Sequence, residues 1–304
     1  MKTDFQTIKV DREDNIAVLT INNPPVNQMS PQMMTDFAAA VSWAWEEEGV
    51  KVVVLTGTGK NFIAGADITQ LKLVKHREDV MAAALHGARF LSTIETGAKP
   101  FIAAINGNCL GGGLETAMAC HYRVAADGVN LGQPEVKIGL IPGAGGTQRL
   151  PRLIGLPNAL EMITAGNPIK ARQAWSRGLV DEVVPAESLL DAALKAARRF
   201  VSGELNLRMR MTRNVNHRLP SAAEKSAVLN YARVMTAQKA RGYIAPFKAI
   251  DALEQGLGFD IDKDIEQEVT LFSDCAVSDV AKNLINIFLN TRAAGNLPLS
   301  LIHI

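Results

Sequence analysis

Two regimes of apolar patterning divide the chain. Up to about residue 185, short β-branched runs bounded by Asn, Pro and Gly alternate with longer helical stretches; beyond Pro185 a three- to four-residue apolar spacing takes over. Residues 16–21 (IAVLTI) and 52–56 (VVVLT) read as strands, as do 101–105 and 122–126. The first two flank a helix over 31–48, with Ser30 placed as N-cap and Pro31 in the first helical position. Residues 113–120 read as a short buried helix between the last two strands. Strand, helix and strand in alternation predict an α/β fold.

Helices are predicted over 186–203, 221–241 and 243–257, before Gly256-Leu257-Gly258 breaks the pattern. Two more follow over 260–292, the first opening on Asp260, Asp262, Asp264, Glu266 and Glu268, the charge a helix N-terminus favours. Ile261, Ile265, Val269, Phe272, Val277, Val280, Leu284, Ile287 and Phe288 recur at helical spacing, so both helices are expected to bury a face. The chain divides into a core over 1–200, a helical module over 201–258, a linker-like helical extension over 259–298, and an irregular tail over 299–304 that breaks the pattern and reads as a candidate foreign segment.

The 304 residues suffice for a large core, and 47% apolar with 21% charged residues is ordinary globular composition. A formal charge of +1 gives no global field toward nucleic acid or an anionic membrane, so neither is expected as a partner. Cys109, Cys120 and Cys275 are odd in number and scattered, which fits a reducing compartment. The charged first twenty residues exclude a signal-peptide core, and no apolar run is long enough to span a bilayer. A cytoplasmic location is expected, with an organelle matrix left open.

Two glutamates carry the candidate chemistry. Glu115 follows Gly111-Gly112-Gly113-Leu114, and Glu135 closes Gly132-Gln133-Pro134, twenty positions on. Three glycines destabilise a solvated loop for no return, whereas beside a carboxylate they expose backbone N–H groups at a helix start. Two carboxylates so framed can divide acid and base work on one small molecule. A third glycine loop, Pro142-Gly143-Ala144-Gly145-Gly146-Thr147, is expected to shape the pocket floor, with Gly143 offering backbone polar groups; a tight loop capping the next helix fits it equally. It is no dinucleotide fingerprint, because Gln148 stands where the last glycine belongs, and the five histidines lack metal-ligand spacing. No metal and no resident cofactor are expected.

Several ordered motifs resemble the crotonase, or enoyl-CoA hydratase/isomerase, superfamily: NNPPVN at 22–27, FIAGADI at 62–68, KP at 99–100 leading into AINGNCLGGG at 104–113, GQPE at 132–135, GLIPGAGGTQRL at 139–150 and AWSRGLVD at 174–181. The resemblance implies a spiral of repeated ββα units followed by a C-terminal helical module. It implies that the backbone N–H groups of Ala66 and Gly112 form an oxyanion hole for a thioester enolate, that Glu115 deprotonates water and that Glu135 delivers a proton to C2. Gly65, Asp67, Ile68, Gly111, Pro142 and Gly143 are then substrate-binding, Val26 borders the adenine, and Lys72 or Lys75 meets a coenzyme A phosphate. The coenzyme A thioester is the substrate.

Within the superfamily, residues 260–296 and Cys120-His121-Tyr122-Arg123 resemble the N-terminal hydratase/isomerase domain of multifunctional β-oxidation enzymes. In those enzymes a 3-hydroxyacyl-CoA dehydrogenase follows, and such a domain is an expected partner missing from this chain. The expected activity is 2-enoyl-CoA hydration in fatty-acid β-oxidation, with Δ3-Δ2-enoyl-CoA isomerisation as an open addition. The alternatives are isomerase only, CoA-thioester hydrolysis, or a non-catalytic RNA- or CoA-binding protein. A monomer with the extension docked on its own core is favoured over a trimer.

Overall fold

The computed structural model of the chain describes residues 4–74, 76–258 and 260–295. The first half runs β1 (Ile8–Glu13), β2 (Ile16–Ile21), α1 (Pro31–Glu46), β3 (Val52–Gly57), β4 (Asn61–Ile63), α2 (Arg77–Thr96), β5 (Phe101–Ile105), β6 (Asn108–Leu110), α3 (Gly112–Ala119), β7 (Tyr122–Ala126) and β8 (Asn130–Gly132). Then come α4 (Gly146–Ile154), α5 (Leu156–Ala165), β9 (Ile169–Lys170), α6 (Ala171–Arg177), β10 (Glu182–Val184) and α7 (Leu189–Val201). The C-terminal helices are α8 (Leu207–Arg210), α9 (Ala222–Lys239), α10 (Ala245–Gln255), α11 (Ile261–Ala276) and α12 (Asp279–Gly295).

One six-stranded sheet has the order β1-β2-β3-β5-β7-β10, and a four-stranded sheet has the order β4-β6-β8-β9. Consecutive strands alternate between them: β3, β5 and β7 lie in the large sheet, and β4, β6 and β8, each next in sequence, lie in the small one. A helix follows each pair, so the chain winds as a spiral of ββα units. The central strands are apolar on both faces because both are covered. Val53, Leu55, Phe101, Ala103 and Ile105 enter the main core, while Val52, Val54, Ile102 and Ala104 point the other way and pack on Leu189, Ala193, Ala197 and Phe200 of α7.

Helix α1 begins where the sequence places it, with Ser30 Oγ accepting from Met33 N–H and Pro31 in the first turn. The winding also positions the site. Strands β4, β6 and β8 pair in parallel, so their C-terminal ends lie side by side, the edge of a sheet where α/β folds bind ligands. The chain leaves that edge as 64–68, as the triple glycine, and as 133–135.

Helix α11 packs on α2, α4 and α10, burying Ile261, Ile265, Val269 and Leu271. Helix α12 departs from the expected face. Ala281 and Ile285 are buried, whereas Ile287 and Phe288 are exposed; Ile287, two residues on from Ile285, stands about 200° round the helix from it. Residues 296–304, which include the proposed tail, lie outside the described residues. Among the described residues no helix is long and apolar enough to cross a membrane.

Candidate active site

Each glycine of 111–113 has its own physical cause. Gly111 caps α3 at φ 54° and ψ −126°, a backbone conformation essentially closed to side-chain-bearing residues. A Cβ on Gly112 would sit 2.6 Å from Met29 Sδ, and one on Gly113 would sit 2.2 Å from the Ile63 carbonyl oxygen. The helix therefore starts hard against β4. Its first intrahelical bond runs from Glu115 N–H to Gly111 O, which leaves the amides of Gly112, Gly113 and Leu114 without helical acceptors.

Ala66 stands opposite. It forms a parallel bridge with Met29, made by Met29 N–H donating to Gly65 O (2.9 Å) and Asp67 N–H donating to Met29 O (3.4 Å). That pattern turns Ala66's own N–H away from residue 29. Gly65 approaches within 3.8 Å of a Cβ position on Gly111, so the two loops touch.

Glu115, in the first turn of α3, is buried. Its Oε1 accepts from Ala144 N–H (2.7 Å) and Gly146 N–H (2.9 Å), while Oε2 accepts no hydrogen bond among the described residues. One oxygen is anchored and the other is available to a ligand. Burial raises its pKa, and the Ala144 and Gly146 amides with the nearby Arg149 cation oppose that rise.

Glu135 opens the 3₁₀ turn Glu135–Ile138 just past β8. A Cβ on Gly111 would stand 3.0 Å from its Oε1, which places both carboxyls around the triple glycine. Burial drives its pKa well above the carboxylate range, and the charges of Glu115 and Glu268 push it further. The Gln133 amide, oriented so that its nitrogen faces the carboxyl, donates to Oε1 at 2.9 Å and Oε2 at 3.2 Å. That orientation is assigned from the hydrogen-bond pattern for an ionised Glu135; a protonated Glu135 donates instead to the Gln133 oxygen in the other orientation.

The third glycine loop does more than shape a floor: its Ala144 and Gly146 amides hold Glu115 itself. Behind it Arg149 Nη1 donates to Ala144 O (2.9 Å), and Arg149 Nε meets Glu95 Oε2 (3.0 Å), both side chains fully buried. Pro142 is buried against Gly146, and Gly143 lies under the Phe272 ring. Asp67 accepts from Thr69 N–H (3.1 Å) and Thr69 Oγ (2.6 Å), fixing its own turn, with half-buried Ile68 beside it. Val26 lends its carbonyl to Ala64 N–H at 3.3 Å. Lys72 is exposed and, with Lys282 of α12, lines a cavity of about 220 Å³; Lys75 lies outside the described residues.

Neither Lys282 nor Glu268 was singled out by motif, because both sit in the extension and only folding brings them near. Arg213 is paired with Asp262 (2.9 Å) and Glu95 (3.5 Å). His121 is structural: its Nδ1 accepts from Phe101 N–H and its Nε2 meets Glu95 O, each at 3.0 Å, and burial lowers its pKa to about 4.

Residues 11–242 match the family model described as enoyl-CoA hydratase/isomerase. The chain belongs to that family. It is 34% identical to an enoyl-CoA hydratase from Bacillus anthracis, whose structure aligns with a TM-score of 0.62 over 79% of this chain and 91% of that one. Human mitochondrial Δ3-Δ2-enoyl-CoA isomerase, at 20% identity, shares the fold with a TM-score of 0.70 over 96% of this chain and all of that one. Among curated relatives, a peroxisomal fatty acid beta-oxidation multifunctional protein of Arabidopsis thaliana is 35% identical over 98% of the chain but only 41% of its own length. The fatty acid oxidation complex subunit alpha of Shewanella frigidimarina is 37% identical over 92% of the chain and 40% of its own length. The chain thus spans about two fifths of these relatives.

Proposed function

We propose that the protein hydrates 2-enoyl-CoA thioesters to 3-hydroxyacyl-CoA in fatty-acid β-oxidation. The observation that carries this reading is the pair Glu115 and Glu135, set around the same glycines in opposite surroundings. Glu115 is held by two amides near a cation, surroundings that favour its charge; Glu135 has two negative neighbours, which favour its proton. Glu115 is the base: its free oxygen takes a proton from water as hydroxide adds to C3. Electron density moves onto the thioester oxygen, which the Ala66 and Gly112 N–H groups stabilise as an enolate. Collapse of that enolate takes the proton of Glu135 at C2. An oxyanion donor of this kind is worth roughly 10²–10³ in rate.

Lys72 and Lys282 are candidate contacts for a coenzyme A phosphate. Isomerisation of 3-enoyl to 2-enoyl thioesters, in which the ionised form of Glu135 takes a proton from C2 and returns it at C4, needs only the oxyanion hole and one carboxyl, so it is a second activity the same site supports. A 3-hydroxyacyl-CoA dehydrogenase is the partner activity, since it consumes the product. The compartment is the cytoplasm or an organelle matrix, the latter in keeping with the peroxisomal name of the Arabidopsis relative.

The test follows the loss of ultraviolet absorbance of the conjugated thioester in crotonyl-CoA and longer 2-enoyl-CoA esters. Hydration by the native chain, abolished in Glu115→Gln, is expected. Turnover of a 3-enoyl-CoA with no hydration at any chain length would replace this reading with isomerase only, and release of free coenzyme A would replace it with hydrolysis. Salt-dependent RNA binding without any turnover would make it a binding protein.

A further inference from the structure

Ala144, Gly145, Gly146 and Thr147 present four consecutive backbone amides, and two glutamates share them in alternation. Ala144 and Gly146 donate to Glu115 Oε1 at 2.7 and 2.9 Å. Gly145 donates to Glu268 Oε1 at 2.6 Å and Thr147 to Glu268 Oε2 at 2.7 Å, and the Thr147 hydroxyl donates to that same Oε2. Glu268 lies in the middle of α11, in the helical extension, 121 residues from Thr147 in sequence and fully buried. Three donors converge on it, so its oxygens serve as acceptors for one loop.

Burying a second carboxylate near Glu115 is a poor way to dock a helix. Burial and the Glu115 charge push the Glu268 carboxyl upward, the Thr147 and Gly145 donors pull it back toward its charged form, and an apolar contact would hold α11 at lower cost. What the carboxylate adds is direction, because it fixes the far side of the peptide groups whose other amides aim at Glu115. Helix α12 meets the other glutamate's turn through shape. Gly139, at φ 77°, closes the 3₁₀ turn that Glu135 opens, and a Cβ there would stand 2.7 Å from Ala281 Cα.

We propose that Glu268 is a positioning residue for Glu115, acting through the 144–147 loop, so that α11 is part of the active site. The kinetic half of this inference rests on the hydratase reading above; the structural half does not.

The test compares the full chain with Glu268→Gln and Val269→Ala. Glutamine keeps the volume and sets an NH₂ group against backbone donors, whereas Val269→Ala loosens the apolar face of α11 and leaves the loop bonds intact. Amide hydrogen exchange over the loop is expected to quicken in Glu268→Gln and to stay native in Val269→Ala. Exchange over α2, which α11 covers, is expected to stay native in Glu268→Gln. With crotonyl-CoA, Glu268→Gln is expected to lose about tenfold or more in kcat while KM stays within about twofold, as for a group that aims a reacting residue. If Glu268→Gln fails to fold, Thr147→Val, which deletes one donor, is expected to shift the same two readouts in the same direction by less.

Unchanged loop exchange in Glu268→Gln, equal quickening over α2, or the same kcat loss in Val269→Ala would overturn the proposal. A native chain that hydrates no 2-enoyl-CoA would sink the hydratase reading, and the exchange comparison would still decide whether Glu268 holds the loop.

Discussion

Glu115 and Glu135 are chemically the same side chain in different surroundings. Both sit above the ordinary carboxylate value of 4.5, Glu135 well above it. The proposed hydration needs Glu115 without its proton and Glu135 with one, so the sign of each limb follows. As pH falls through the raised Glu115 value the base is lost; as pH rises through the raised Glu135 value the acid is lost. A bell-shaped kcat/KM profile for crotonyl-CoA is expected, measured over about pH 4 to 10, its two apparent pKa values belonging to the coupled pair. An alkaline side that stays flat throughout would count against Glu135 as the proton donor. Glu135→Gln is expected to lose both hydration and any isomerisation, while isomerisation that survives in it but not in Glu115→Gln would reverse the two roles.

Short strands and tight turns, more than long helices, set the site geometry. Strands β4, β6 and β8 are three residues each, and each delivers one loop to the same sheet edge. The turn after β8 is closed by Gly139, which is left-handed and also abuts α12. Gly139→Ala is therefore expected to cost about 2–4 kcal/mol, from a strained φ and a backbone clash together. Urea unfolding measures this, and turnover is expected to fall with it because the Glu135 turn must shift. Stability within error of the native chain would mean that α12 does not bear on that turn.

The face of α11 is buried against its own core, which removes the main reason for three copies to share it. Ile287 and Phe288 of α12 remain exposed, as do Met209 of α8 and Tyr231 and Val234 of α9, and these are the apolar side chains a trimer would have to cover. A monomer is expected, and light scattering near 32.7 kDa supports it, whereas a mass near three times that value rejects it.

The sequence alone determined the long apolar strands, the helix at Ser30-Pro31, the helical character beyond Pro185 and the two glutamates, because each rests on local chemistry: β-branched runs, caps, spacing and glycine loops. The resemblance also singled out the Ala66 and Gly112 loops, which the fold brings into contact. Strands of three residues carry too little periodicity to read, and the ββα repeat lives in topology, with no repeat in the residues to reveal it. Tertiary structure decided the rest. Glu268 reads as one more acidic residue near a helix start until α11 docks, and Ile287 reads as buried until α12 turns its Ala281 and Ile285 side to the core. Burial, and the partners that only folding supplies, turned similar residues to different ends.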